Sequence, residues 1–186
     1  MPSPSVEEQL KEAGLELAGT CQGMAGRGPR LLHNAALLED FTADEMDALG
    51  SAMPMLRAAP GQVLINEGEV GEWMLLLLSG TVDVTKRTPT GEVSRLAVIR
   101  EGAAIGEMSM LDGEPRYATC TAIDAVEAGV LTRSAIALLI REHPGVGAKL
   151  LVKLTQLLAQ RLRNTSNQLV KMVQAAADSQ EESEAR

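Results

Sequence analysis

Histidine is scarce in this chain of 186 residues: His33 and His143 are the two present, and both fall outside its β-rich part. A metal enzyme of the cupin kind, which needs several histidines and a carboxylate, therefore lacks its ligands. Cysteine is equally sparse, with Cys21 and Cys120 far apart and no CxxC, so neither a zinc ribbon nor a disulfide scaffold is indicated and a reducing compartment fits. Positive charge is short as well: 17 Lys and Arg against 25 Asp and Glu leave a net charge of −8, which opposes binding to a nucleic-acid backbone or an anionic membrane surface. Any phosphate must be met by a local arrangement. The apolar run MLLLL is too short to span a bilayer, and the N-terminal MPSPSVEEQL is polar and acidic where a signal peptide would be basic and then apolar. No GxSxG, HExxH or GxxxxGK[ST] occurs, so nucleophilic, zinc-protease and P-loop chemistry have no support. The expectation is a cytoplasmic, non-enzymatic protein with no metal or cofactor and no nucleic-acid or membrane partner.

What is present changes character along the chain. Residues from Val6 to about Ala18 have helical spacing, and the glycine-rich CQGMAGRGPR, Cys21 to Arg30, breaks it, so residues 1–30 read as an appended helix and linker. TADE at Thr42 matches a capping box, and a short helix should run to about Leu49. Between Pro54 and Leu131 come short β-rich runs (MLRA, QVLI, EWMLLLLSG, TVDVTKR, EVSRLAVI, RYATCTA and AVEAGVL) separated by turn residues, which is the pattern of a sandwich or barrel. The turn EGEVGE, with Glu67, Glu69 and Glu72, reads as a solvated turn rather than a cation site, and Trp73 as core. Helical spacing returns in TRSAIALLIREHP, ended near His143 by Pro144, and in a last helix from about Gly145 to Ala177. Leu151, Leu158, Thr165 and Met172 repeat at heptad spacing on it, with Leu154 and Leu162 near the intervening positions. This is a seam for a homodimer or, alternatively, an internal packing face. Residues 178–186 read as a disordered acidic tail.

The chemistry concentrates in GEMSMLDGEPRYATCTA, Gly106 to Ala122. Gly106 permits close approach of a backbone, and the helical turn after it directs free amides at an anion. Pro115 sets up an extended segment at Arg116, and the small Ala118, Cys120 and Ala122 share one face of it if it alternates, leaving a hole beneath the arginine. A guanidinium offers paired donors to phosphate oxygens, whereas the carboxylate of Glu107 only accepts and needs a hydroxyl or amine on the same ligand. Phosphate plus sugar hydroxyl describes a nucleotide.

On these residues the chain resembles the cyclic-nucleotide-binding domains, the family of the bacterial catabolite activator protein and the protein kinase A regulatory subunits, at their phosphate-binding cassette. The resemblance extends over LLEDFTADEMDAL, over PGQVLINEGEVGEWMLLLLSGTVDV with its glycine turns, and over the helix ending EHP, covering about Leu31 to Val173. It implies a mainly β fold with flanking helices: an eight-stranded jelly-roll with N-terminal helices and a long C-terminal lid helix, within a domain spanning 31–177. It further implies that Arg116 pairs a cyclic phosphate, that Glu107 accepts from the ribose 2′-hydroxyl, and that the cassette backbone at Gly106, Glu107 and Met108 lies near the ligand. RLRNTS resembles the part of the lid helix that reaches the base, which nominates Arg161, Thr165 and Ser166. Two departures stand out. Tyr117 replaces the small residue that usually follows the arginine, and either crowds the phosphate or points to the other face, while the Ala118 amide contact is kept. Ala103, Ala104 and Ile105 replace the aromatics that commonly precede the cassette glycine. The function implied is a cyclic-nucleotide sensor, with cAMP the first choice of ligand, signalling through its C-terminal helix to a protein partner, since no helix-turn-helix pattern follows that helix. The alternatives are a cGMP or cyclic-dinucleotide sensor, or a ligand-blind adaptor on the same fold.

Overall fold

The strand Trp73–Ser79 is apolar at nearly every position because both of its faces are covered. Strand alternation sends Met74, Leu76 and Leu78 into a cluster shared with the helices, and Trp73, Leu75 and Leu77 into a second cluster between two sheets. Each of these buried leucines contributes about 1.5–3 kcal/mol by its removal from water, so this one run ties the two halves of the core together.

The computed structural model describes residues 6–12, 14–27 and 37–184. The first elements are α1 (Val6–Glu12), β1 (Glu16–Thr20), a 3-10 turn (Met24–Arg27) and α2 (Ala43–Ser51). The β region then comprises β2 (Pro54–Ala58), β3 (Val63–Ile65), β4 (Trp73–Ser79), β5 (Thr81–Arg87), β6 (Val93–Arg100) and β7 (Ala104–Ile105). A short helix, α3 (Glu107–Asp112), precedes β8 (Thr119–Ala122) and β9 (Val126–Thr132), and the chain ends in α4 (Arg133–Glu142) and α5 (Pro144–Glu184). The strands form two antiparallel sheets, in the orders β1-β2-β9-β4-β7 and β3-β8-β5-β6, which is the expected jelly-roll with nine strands in place of eight.

The helix expected from Val6 to Ala18 stops at Glu12. Gly14, at φ 73°, supplies the left-handed turn that ends it, with Leu15 N–H donating to the Leu10 carbonyl at 3.0 Å and Gly14 N–H to that of Lys11 at 2.9 Å. Leu10 and Leu15 are buried in the same cluster, and the chain leaves as β1, paired antiparallel with β2 through Glu16↔Arg57 and Leu17↔Leu56. Cys21 and Met24, read from the sequence as linker, are fully buried in the helix-side core. His33 and the boundary placed between residues 30 and 31 lie outside the described residues, as do Ala185 and Arg186 of the expected tail.

The capping box of α2 is complete: the Thr42 hydroxyl accepts from Glu45 N–H at 3.3 Å, and the Glu45 carboxylate accepts from Thr42 N–H at 2.8 Å. That carboxylate also receives Lys149 of α5 at 2.6 Å, while Lys153 reaches Asp40 at 2.8 Å. Lys149 and Lys153 hold Glu45 and Asp40 respectively below the usual carboxylate range. The first part of α5 is thereby fixed to the body, with Val146, Leu150 and Leu154 inserted in the helix-side core. The acidic tail expected from residue 178 is instead a continuation of α5 to Glu184, because no glycine or proline follows Gly147 to stop the helix.

Candidate ligand-binding site

A cavity of about 370 Å3 lies under α5, between the inner face of the second sheet and α3. Its floor is made by Val84 of β5, Leu96, Ala97 and Ile99 of β6 and Cys120 of β8. A bulge shapes this floor: Val84 pairs with Ala97 but Thr85 with Arg95, so Leu96 is the extra residue, and both Leu96 and Ala97 reach the cavity.

Arg116 forms one end. It is 4% exposed, and among the described residues no carboxylate pairs with it. Its guanidinium donates to the carbonyls of Gly106 and Trp73, at 2.7 Å each, and lies over the Trp73 ring at 4.4 Å. The space it occupies exists because two neighbours lack side chains. A Cβ on Gly71 would come within 2.5 Å of Arg116 Nη2, and one on Gly106 within 2.6 Å of Nη1. Gly106 is also left-handed, at φ 79°, where it opens α3. The Arg116 main chain is clamped to the turn between β3 and β4, donating to the Glu69 carbonyl and accepting from Gly68 N–H, both at 2.8 Å. Arg116 therefore precedes β8 rather than starting it, and Ala118, Cys120 and Ala122 are buried on one face as the alternation requires. Burial pulls the guanidinium below its usual value, opposed by nearby Cys120, Glu107 and Glu69. The same burial pushes the Cys120 thiol up to about 12.

Glu107, the first residue of α3, is 1% exposed. Its Oε1 accepts from the Arg161 guanidinium of α5, whose other nitrogen donates to the Ala104 carbonyl at 2.6 Å. The ion pair thus joins the cassette to the helix that covers it, and the second carboxylate oxygen keeps acceptor capacity. A further arginine fixes the far end of α3: Arg133, at the start of α4, donates from Nε at 2.8 Å and Nη2 at 2.6 Å to the Met110 carbonyl.

The other nominated residues fall into two groups. Gly106, Met108, Tyr117, Ala118, Arg161 and Thr165 line the cavity with Glu107 and Arg116. Ser166 does not line it and is exposed, because five residues along a helix turn it about 140° from Arg161. Tyr117 is 58% exposed at the rim, its ring under Lys86 Nζ at 4.1 Å and its carbonyl accepting from the same nitrogen at 2.6 Å. Of the two arrangements open to it, the outward one is adopted, away from the Arg116 guanidinium. The EGEVGE carboxylates are each engaged with protein groups: Glu67 with Lys86 and Arg87 N–H, Glu69 with Asn66, and Glu72 with Arg133. Arg87 N–H, ahead of Lys86, holds Glu67 low. Among the described residues no group of three His, Cys, Asp or Glu could hold a metal ion, and no helix is long and apolar enough to cross a membrane.

Sequence reasoning missed Asn164, which lines the cavity, as well as Gly71 and Trp73, which house the arginine. Spacing three from Arg161 on one helical face was the available signal for Asn164.

A buried, carboxylate-free guanidinium at one end of a half-apolar cavity, an acceptor carboxylate beside it and a helix across the top define a receptor for a small anionic ligand. Comparison with known proteins narrows that class. The model of the cyclic nucleotide-binding domain matches residues 55–143. A crystal structure of a cyclic nucleotide-binding domain from Methylobacillus flagellatus KT is 34% identical, with a TM-score of 0.74, and the match covers 84% of this chain and 88% of that one. On that match this chain belongs to the cyclic nucleotide-binding domain family. A CRP-like cAMP-activated global transcriptional regulator of Mycobacterium tuberculosis is 28% identical over 143 residues, 77% of this chain and 62% of its own length. A cAMP-dependent protein kinase regulatory subunit of Yarrowia lipolytica is 35% identical over 91 residues, 49% of this chain and 24% of its own. The chain therefore spans less than two thirds of the length of these two curated relatives.

Proposed function

We propose that the protein is a cytoplasmic, non-catalytic cyclic-nucleotide sensor whose ligand is cAMP. The observation that carries this reading is Arg116, a guanidinium 4% exposed, facing a cavity and satisfied only by carbonyls and a ring, so that an anion is what completes its electrostatics. In this reading the cyclic phosphate sits at Arg116 and the first turn of α3, including the backbone of Gly106, Glu107 and Met108 and the amide of Ala118. The ribose 2′-hydroxyl donates to Glu107, and the base lies beneath α5 near Thr165. The names of the mycobacterial and yeast relatives support cAMP as the ligand.

Signal output in this proposal passes through α5. The Arg161–Glu107 pair links the lid to the group that meets the ribose, so ligand binding competes for one carboxylate and shifts the lid. The exposed residues Leu151, Leu162, Leu169 and Met172, with Thr165 between them, form the seam of a homodimer, while Leu154 of the same helix faces inward at 1% exposure. The shifted helix is presented to a protein partner rather than to DNA, which the net charge of −8 disfavours. Calorimetric titration of the full chain with cAMP, cGMP and cyclic dinucleotides tests this reading. Saturable binding tightest for cAMP supports it; tighter binding of another cyclic nucleotide replaces the ligand, and no binding by any of them replaces the sensor with a ligand-blind adaptor.

A further inference from the structure

The α5 wall of the cavity carries one amide side chain, Asn164, whose orientation is set by its neighbours. The Arg163 guanidinium lies 3.5 Å from Gln160 Oε1. A guanidinium can only donate, so it takes the carbonyl end of Gln160 and turns the amide nitrogen toward Asn164. Gln160 Nε2 then donates to Asn164 Oδ1 at 2.9 Å. The end of Asn164 left with its donors is Nδ2. Asn164 stands three residues beyond Arg161, roughly 4.5 Å along the same side of α5. Since Arg161 marks the Glu107 carboxylate, Asn164 lies one step past the sugar position of the proposed ligand. The apolar floor of Leu96, Ala97 and Ile99 is the kind of surface a base covers.

We propose that Asn164 is a base-reading residue: its Nδ2 donates to an acceptor on the purine edge, and Gln160 is the positioning residue that keeps that end of the amide toward the ligand. This deepens the cyclic-nucleotide reading and rests on it. The chemistry recognised is a purine acceptor, N1 or N7 in adenine and O6 or N7 in guanine. Asn164 is exposed and outside the core, so truncating it leaves the fold intact.

The test is calorimetry of the full chain with cAMP, 1-deaza-cAMP and 7-deaza-cAMP, using the wild type, Asn164→Ala and Gln160→Leu. Asn164→Ala is expected to weaken cAMP about 3- to 10-fold, the range of one neutral hydrogen bond. One of the two deaza ligands should lose a similar factor on the wild type and nothing further on Asn164→Ala. Gln160→Leu frees the amide to turn over, so the wild-type ratio between cAMP and cyclic inosine monophosphate, which exchanges a 6-amino donor for a 6-oxo acceptor, should move toward one. Wild-type binding of cAMP with an unchanged affinity in Asn164→Ala overturns the inference and leaves the sensor reading standing. So do deaza losses that simply multiply with the substitution. A wild type that binds no purine cyclic nucleotide overturns both.

Discussion

Replacing Arg116 by leucine separates binding from folding. In the unliganded protein the substitution removes two 2.7 Å bonds to the carbonyls of Gly106 and Trp73, and each carbonyl left without a donor costs about 1–3 kcal/mol. It also removes a charge that is 4% exposed with no carboxylate partner, and relief of that desolvation returns several kcal/mol. The two effects oppose each other, so the unliganded melting temperature should move by no more than about 3 °C. Binding has no such compensation. A phosphate charge entering the leucine cavity is unpaired, at about 3–5 kcal/mol, or roughly 150- to 5000-fold in affinity. Thermal unfolding reads this directly. Ligand at 100 times the wild-type Kd adds about 2.7 kcal/mol of stability, which for a chain of this size raises the midpoint by roughly 5–11 °C. Arg116→Leu at the same ligand concentration should rise by about 1 °C or less. An equal rise in both proteins would refute the assignment of the phosphate to Arg116, and with it the single strongest argument for the sensor.

Glu107→Gln should weaken binding less, by about 1.5–3 kcal/mol, and a 2′-deoxy cyclic nucleotide should bind the variant and the wild type with nearly equal affinity; a full wild-type-to-variant gap with the deoxy ligand contradicts a ribose contact. Cys120, whose folded value is near 12 against an ordinary value of 9.0, contributes stability that is present below pH 9 and lost as pH rises toward 12, since the unfolded chain gives up the proton first. Denaturant unfolding from pH 8 to 11 should therefore show a decline that Cys120→Ala flattens, and parallel declines would dismiss it. Leu169→Glu, at a side chain 61% exposed on the distal part of α5, should convert a dimer to a monomer in sedimentation velocity at tens of micromolar without lowering the melting temperature of the monomer; a wild type already monomeric there removes the seam.

The parts of the fold that could be read from the sequence are those whose causes lie close together along the chain. Thr42 and Glu45 cap each other within four residues, and the spacing of Gly106, Glu107 and Arg116 survives folding because all three belong to one short loop and helix. The strands β2 to β6, β8 and β9 carry enough β-branched and apolar residues to be recognised between their turns. β1 was illegible because ELAGT has little strand character of its own and exists as a strand only by pairing with Leu56 and Arg57, some forty residues later. β7, two residues long, depends in the same way on Leu75 and Leu76. At the site, Ser166 was nominated by adjacency to Thr165 and turned away by helical geometry, whereas Asn164 acquired its position only when α5 crossed the cavity. Gly71 could not be matched to Arg116 for a similar reason: its missing side chain matters to a guanidinium forty-five positions away.

The unequal anchoring of α5 gives the helix the mechanics of a beam held at one end. Its first three turns are clamped by Lys149, Lys153 and the buried Leu150 and Leu154, and the last side-chain bond from the helix to the body among the described residues is made by Arg161. From there to Glu184 the helix extends about 35 Å, at 1.5 Å per residue. A tilt of about 10° pivoting near Arg161 would carry the free end sideways by roughly 6 Å, more than the spacing between adjacent turns of a helix. Loss or gain of one guanidinium–carboxylate contact at the pivot is thus magnified at the tip into a displacement large enough for another macromolecule to sense.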